Sequence, residues 1–299
     1  MWFRSFAFVC FLMPAALFAQ LEGVVDLHVH SAPDSGPRSI TAVEAARIAV
    51  RYKMRALLLK NHYTHTASLA YTVSEVVPGI ELYGAIALNR SVGGINPTAV
   101  EHMARTTGGL GRVVWMPTFD SEHSHRTANP NPLFVSVAKD GKLLPEVLQV
   151  LDVMASHGLS LATGHSSPAE SLLLIEAAKA RGIDRIVVTH PQPDPVAMDI
   201  ETQKKAAAMG ALLEYKFNST LAPNSAWPSE FVSMSDTLKS IRAVGPENVV
   251  VSSDLGQPGN PIHADGLIAF IQALKSAGFT ESEINTMMRI NPAKFLGLK

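Results

Sequence analysis

Four histidines and one aspartate stand where apolar runs of the sequence end. His28 and His30 close the first run, His165 and His190 close two later runs, and Asp254 closes the last. Residues two apart on a strand point to the same face, so His28 and His30 can offer two nitrogens to one ion. Neutral imidazoles and a carboxylate are ligands that Zn²⁺ or a similar divalent ion prefers. The spacing predicts a metal centre with all five residues as ligands.

The elements that must position these residues are eight apolar runs separated by segments of helical period. This alternation is typical of repeated β/α units around a parallel sheet, and eight pairs fit one closed barrel. The sequence therefore predicts a (β/α)8 TIM barrel, of the α/β class, as a single domain over residues 20–299. In such a barrel, the carboxyl ends of all strands lie on one rim. The predicted strands are Val24–His30, Ala56–His62, Leu82–Leu88, Val113–Thr118, Leu159–His165, Arg185–His190, Ala211–Phe217 and Val249–Asp254.

Helix starts are marked by three capping boxes, in which a hydroxyl residue precedes a glutamate by three positions. The boxes begin at Thr41, Ser167 and Thr280. Each predicts that a helix begins at the following residue.

Residues 1–19 differ from the rest of the chain. A short start with one positive charge at Arg4 precedes an apolar run that ends in small residues, which is typical of a cleaved signal peptide. The single cysteine, Cys10, lies in this segment, so the mature chain would carry no disulfide. We expect an exported protein, periplasmic or secreted, with no membrane association after cleavage.

Composition limits the partners of the mature chain. The 299 residues are 47% hydrophobic with a formal net charge of −1, and no basic stripe is present to bind phosphates. Nucleic acid is therefore excluded as a partner, and a small-molecule substrate is expected. The composition is compatible with a homo-oligomer.

The histidine and aspartate motifs together resemble those of the amidohydrolase superfamily of metal-dependent TIM-barrel hydrolases. The resemblance covers the whole mature chain and rests on five motifs. These are Asp26-Leu27-His28-Val29-His30, Gly164-His165, Thr189-His190-Pro191, Ser253-Asp254 and the closing Asn291-Pro292-Ala293-Lys294-Phe295-Leu296-Gly297.

The resemblance implies a hydrolase in which a metal-activated water attacks an ester, lactone, amide or related bond. Asp254 would carry the proton, and His190 would either bind a second ion or orient the oxyanion. Binuclear members of the superfamily have a carboxylated Lys or a Glu at the end of strand four, which this chain lacks. One ion, most simply Zn²⁺, is the default, and Lys60 or Asp120 is the candidate bridge if two ions bind.

Further polar residues near the same rim are candidates for substrate binding. Lys60 and His62 end the second predicted strand, Asp34 and Arg38 lie in the first loop, and His123 lies in the loop after strand four. Together they could hold a polar or anionic substrate.

Three other interpretations remain open. A PHP-type phosphoesterase shares the first and last motifs, but Asn89 and Gly256 stand where that family has an acid and a histidine. A mononuclear decarboxylase or hydratase of the same fold also lacks the strand-four bridge. A barrel that binds a metal without catalysis is the third.

Overall fold

Eight parallel strands form one sheet in which each strand pairs with its neighbours in the chain, as the sequence predicts. The computed structural model describes residues 20–127, 133–221 and 230–299. The first and last strands meet where Val29 pairs with Leu255 and the His30 amide donates to the Leu255 carbonyl at 2.9 Å. The barrel strands are β1 Val25–His30, β2 Ala56–Lys60, β3 Glu81–Ala87, β4 Gly111–Trp115, β7 Ser160–Ala162, β8 Ile186–Val188, β9 Leu212–Lys216 and β10 Val249–Ser252.

Helices connect the strands and cover the outside of the barrel. All three predicted capping boxes are present: the capping hydroxyl accepts from the backbone amide of the glutamate, and the glutamate carboxylate accepts from the backbone amide of the capping residue. The α-helices are α1 Ala42–Arg51, α2 Ala67–Val76, α3 Pro97–Ala104, α4 Glu122–Thr127, α5 Pro145–His157, α6 Pro168–Lys179, α7 Ile200–Ala208, α8 Met234–Val244, α9 His263–Ser276, α10 Glu281–Asn285 and α11 Asn291–Leu296. A π-helical segment covers Thr286–Ile290, and single 3₁₀ turns cover Arg90–Val92, Asn218–Thr220 and Pro246–Asn248.

The apolar core has two layers, and the polar side chains lie at one end of the barrel. The larger layer lies between strands and helices, and the smaller fills the barrel interior around Leu27, Leu58 and Trp115. Phe295 and Leu296 of α11 belong to the interior layer. They therefore help to fill the barrel, while polar side chains collect at the carboxyl ends of the strands.

The strands differ from prediction in where they end. His62, His165, His190 and Asp254 lie two or three residues beyond β2, β7, β8 and β10 rather than at their last positions. The backbone leaves the extended conformation at two of these residues, since φ is +26° at His190 and +50° at Asp254. Non-glycine residues adopt such φ values at a cost and often do so at functional sites.

A small hairpin was not predicted. Strands β5 Ala138–Lys139 and β6 Lys142–Leu143 pair antiparallel around Asp140 and Gly141, both with positive φ. An Asp-Gly pair is a strong signal for this type of turn, but two-residue strands carry no periodicity.

The predicted signal peptide, residues 1–19, lies outside the described residues. Among the helices that the structure describes, none combines the length and the apolar character needed to cross a bilayer.

Candidate metal centre

Three of the predicted ligands converge within the barrel mouth. One ligand atom each from His28, His30 and Asp254 lies within 4.8 Å of the others, and all three residues are buried. Oδ1 of Asp254 is 3.0 Å from Nε2 of His28 and 3.0 Å from Nε2 of His30. The ends of β1 and β10 bring these residues together, since Asp26 accepts hydrogen bonds from the backbone amides of both His28 and Ser253.

Asp254 is ionised by its surroundings. Its second oxygen, Oδ2, accepts from Nζ of Lys216 at 2.8 Å. Burial by itself would raise the pKa of this carboxyl, but the charges of His28 and Lys216 hold it well below its usual range. Lys216 also contacts Glu230 at 3.1 Å, and its own pKa is raised because these carboxylates outweigh its burial.

The two sides of the His28 ring have different partners. Nδ1 lies 2.9 Å from Oε1 of Glu214, a buried carboxylate on β9 that also accepts from the Ser252 hydroxyl at 2.7 Å. Nε2 lies 2.8 Å from Nζ of Lys60 as well as 3.0 Å from Asp254. An imidazole that donates from Nδ1 leaves Nε2 with a lone pair, which is the arrangement of a metal-binding histidine.

His165 and His190 approach the same pocket from neighbouring strands. Their ring centroids are 4.9 Å apart, and the His190 ring stacks 6.3 Å from that of His28. Nδ1 of His165 lies 3.2 Å from the Ser124 hydroxyl, whereas Nδ1 of His190 is buried without a hydrogen-bond partner in the described part of the chain. Burial lowers the pKa of both rings well below the ordinary value, so both are neutral and able to bind a cation. Neither belongs to the group of three atoms within 4.8 Å.

The donor set fits a divalent ion. It combines a carboxylate with imidazoles, and burial lowers the pKa of the His30 ring to about 3. Burial by itself would also lower the pKa of His28, but the Asp254 and Glu214 carboxylates beside it raise that pKa, so an ion would bind at Nε2 in place of a proton. A positive group already contacts Nε2 of His28, namely the ammonium of Lys60, whose pKa burial lowers to about 8. His28, His30 and Asp254 can therefore hold a metal directly, with His165 and His190 lining the same pocket.

The pocket around these residues has a volume of about 220 Å³, which suits a small molecule. Lys60, His62 and Arg38, all predicted to bind substrate, line it. The His62 ring stacks on Phe119 with centroids 4.0 Å apart, and its Nδ1 is 2.8 Å from the Thr118 hydroxyl. Asp34 acts through Arg38, whose Nε donates to it at 2.6 Å.

Two predicted residues lie elsewhere. His123, on α4, is half-buried and is not among the described residues that line the pocket. The carboxylate of Asp120, a candidate bridge, accepts from the Arg90 amide and does not line the pocket either. Neither side chain is therefore placed to contact a substrate in this pocket, whereas Lys60 lines it.

Sequence reasoning missed Glu214 and Lys216. Both are buried charged residues two positions apart in the predicted strand Ala211–Phe217. Charged residues are rarely fully buried unless they are paired, so their place in an apolar strand was the available signal. The charge of Glu214 is retained because the His28 and Lys60 charges and two hydrogen bonds outweigh the effect of burial, so the pKa is lowered.

Comparisons with known proteins agree with this fold. Residues 23–214 match the profile of a family of unknown function, DUF6282. No curated protein is similar enough in sequence to count as a relative.

Solved structures share the barrel at low identity. An amidohydrolase from Pseudomonas aeruginosa is 13% identical with a TM-score of 0.62, covering 95% of this chain and 98% of that one. A variant of organophosphorus hydrolase from Deinococcus radiodurans is 14% identical with a TM-score of 0.61, covering 94% of each chain. A mutant of a phosphotriesterase-like lactonase from the same organism is 14% identical with a TM-score of 0.59, covering 94% of this chain and 97% of that one. These likenesses confirm the predicted TIM-barrel fold.

Proposed function

We propose that this chain, which belongs to the family of unknown function DUF6282, is a metal-dependent hydrolase of a small molecule. The observation that carries the proposal is the convergence of His28, His30 and Asp254 within 4.8 Å at the barrel mouth. The bond is an ester, lactone, amide or related bond. The similar structures are those of a lactonase, an organophosphorus hydrolase and an amidohydrolase, which supports hydrolysis as the class of reaction.

The ion is most simply one Zn²⁺, held by His28, His30 and Asp254 with His165 or His190. Bound there, it supplies Lewis-acid polarisation and lowers the pKa of coordinated water. Glu214 orients the His28 ring through Nδ1, and Lys216 fixes which oxygen of Asp254 faces the histidines. Asp254 would take a proton from the attacking water and return it to the leaving group, and His190, which lines the same pocket, would orient the carbonyl oxygen.

The pocket walls exclude large substrates and hold small ones. Phe119 and Phe231 give apolar surface, and the polar side chains of Lys60, His62 and Arg38 face the same space. A mixed wall of this kind binds a small molecule with an apolar body and a polar or charged end.

Metal analysis combined with a substrate panel tests the proposal. Elemental analysis of the purified protein should find about one divalent ion per chain, and esters, lactones and amides should be assayed with and without chelator. We expect chelator to abolish turnover and Zn²⁺ to restore it. The proposal is contradicted if the purified protein holds no metal and chelator does not change its activity.

A mononuclear decarboxylase or hydratase is the second candidate. The observation in its favour is that β4 ends at Trp115 and is followed by Met116, Pro117 and Thr118, so this strand supplies no bridging carboxylate. Turnover in ¹⁸O-labelled water distinguishes the decarboxylase or hydratase from the hydrolase, because only hydrolysis places the label in a carboxylate product.

The phosphoesterase alternative has less support. Asn89, which stands where that family has an acid, uses its side-chain amide to donate to the His62 carbonyl and the Thr118 hydroxyl. Gly256 stands where that family has a histidine, and a Cβ at this position would lie 2.0 Å from the His30 carbonyl oxygen.

We also propose that the chain is exported and that residues 1–19 are removed. N-terminal sequencing of the protein recovered from the periplasm or the medium should begin near Gln20. An intact Met1 in a cell-associated product would contradict this proposal.

A further inference from the structure

Arg38 is fixed in the loop after β1 by a buried ion pair. Its Nε donates to Oδ2 of Asp34 at 2.6 Å, and Oδ1 of Asp34 accepts from the Ser35 amide at 2.6 Å. The Asp34 side chain has no exposed surface, and the Arg38 side chain is 10% exposed. The guanidinium is therefore held in one orientation without a ligand.

The free edge of this guanidinium belongs to the pocket. Arg38 lines the same space as His28, His30 and Asp254, and its two terminal nitrogens have no hydrogen bond to any residue that the structure describes. Two N–H groups on one planar edge match the two oxygens of a carboxylate. A pre-oriented arginine of this kind binds anions with little loss of side-chain entropy.

The charge balance of the site favours a single negative charge on the substrate. Among the described residues, Arg38, Lys60 and Lys216 are positive. Four acids offset them: Asp34 pairs with Arg38, Glu230 and Asp254 pair with Lys216, and Glu214 contacts His28. A divalent ion would leave the site with one net positive charge. A carboxylate balances that charge, whereas a doubly charged phosphate exceeds it.

Resting on the proposed hydrolase function, we infer that the substrate is a small carboxylic acid whose carboxylate is bound by the terminal nitrogens of Arg38. The bond to be cleaved then lies on the part of the molecule that faces His28, His30 and Asp254. The aromatic rings of Phe119 and Phe231 contact the apolar body between these two ends.

Calorimetric titration with matched probes tests the inference. The probes are acetate, butyrate and benzoate, their neutral amides, and inorganic phosphate. The proteins are the wild type, Arg38→Met, Arg38→Lys, and Arg47→Met, a control at an exposed position on α1. We expect at least one carboxylate to bind the wild type more tightly than its amide and than phosphate, and Arg38→Met to weaken that binding by about tenfold or more. Arg38→Lys keeps the charge but not the planar edge, so it should restore only part of the affinity, and Arg47→Met should bind as the wild type does.

Metal content and a thermal melt for every variant separate this inference from the proposed function. Each titration is repeated after chelator treatment, because a carboxylate could also bind the ion itself. Binding that depends on Arg38 after chelator treatment supports the inference even if the protein holds no metal. If no carboxylate binds better than its amide, or phosphate binds better, or Arg38→Met and Arg38→Lys both bind as the wild type does, the inference is wrong. If Arg38→Met does not fold, the comparison of Arg38→Lys with the wild type decides.

Discussion

Glu214 should control metal affinity although it is not itself a ligand. Its Oε1 lies 2.9 Å from Nδ1 of His28 and accepts from Ser252 at 2.7 Å, while its Oε2 has no hydrogen-bond partner among the described residues. A carboxylate at Nδ1 fixes the imidazole tautomer and makes Nε2 a stronger ligand. We expect Glu214→Gln to keep the volume and one acceptor oxygen but to lose this charge.

The loss can be estimated from how such partners behave in other metal sites. Removing an outer partner of a metal-binding histidine costs about 10- to 100-fold in metal affinity. This corresponds to roughly 1.4 to 2.8 kcal/mol, at about 1.4 kcal/mol for each factor of ten. Glu214→Ala should cost at least as much, because it also leaves Nδ1 of His28 buried without a partner.

Competition with a chromophoric chelator measures the affinity directly, and Tyr215→Phe is the matched control. Tyr215 is the next residue on β9, but it belongs to the outer apolar layer and its hydroxyl donates to Gln203. Its loss should lower thermal stability and leave metal affinity unchanged. Wild-type metal affinity in both Glu214 variants would refute the role assigned to this residue.

Three further outcomes are expected. Asp254→Asn should retain most of the bound metal while turnover falls by orders of magnitude, measured by elemental analysis and initial rates; near-normal turnover would remove Asp254 from proton transfer. Chelator should lower the melting temperature of the wild type, because an ion present at a concentration 100 times its Kd stabilises the fold by about 2.7 kcal/mol. An unchanged melting temperature would argue against a bound ion. Asp26→Asn should raise the free energy of unfolding at pH 7 by about 1 to 3 kcal/mol, because burial raises the pKa of Asp26 to about 6 and its ionised form is disfavoured in the fold. The folded-state pKa exceeds the unfolded one, so this gain over the wild type should shrink as pH falls from 7 to 4 in denaturant titrations; a constant difference would contradict the cause.

The sequence predicted the barrel because strands covered on both faces are continuously apolar and their order along the chain is their order in space. It also predicted that His28, His30 and Asp254 meet, since strand ends share a rim. It could not predict that His123 and Asp120 would be absent from the pocket lining, because loop conformation has no periodic signal. The pairing of Lys216 with Asp254 could not be predicted for another reason. The sequence shows a charged residue in an apolar strand, but its partner depends on which side chains meet across the barrel.

Asp254 is held by two kinds of partner, and this limits its part in proton transfer. Its Oδ1 faces two histidines at 3.0 Å and its Oδ2 contacts Lys216 at 2.8 Å. A general base works best when its pKa is near the working pH, so a carboxylate whose pKa is held this low takes a proton reluctantly and releases it readily. Asp254 is thus better suited to binding a cation than to holding a proton, and a proton that it takes from water would pass quickly to the leaving group. A cation bound by Asp254 would also compete with Lys216, whose ammonium already has Glu230 at 3.1 Å and so would keep an ion pair if it released Asp254.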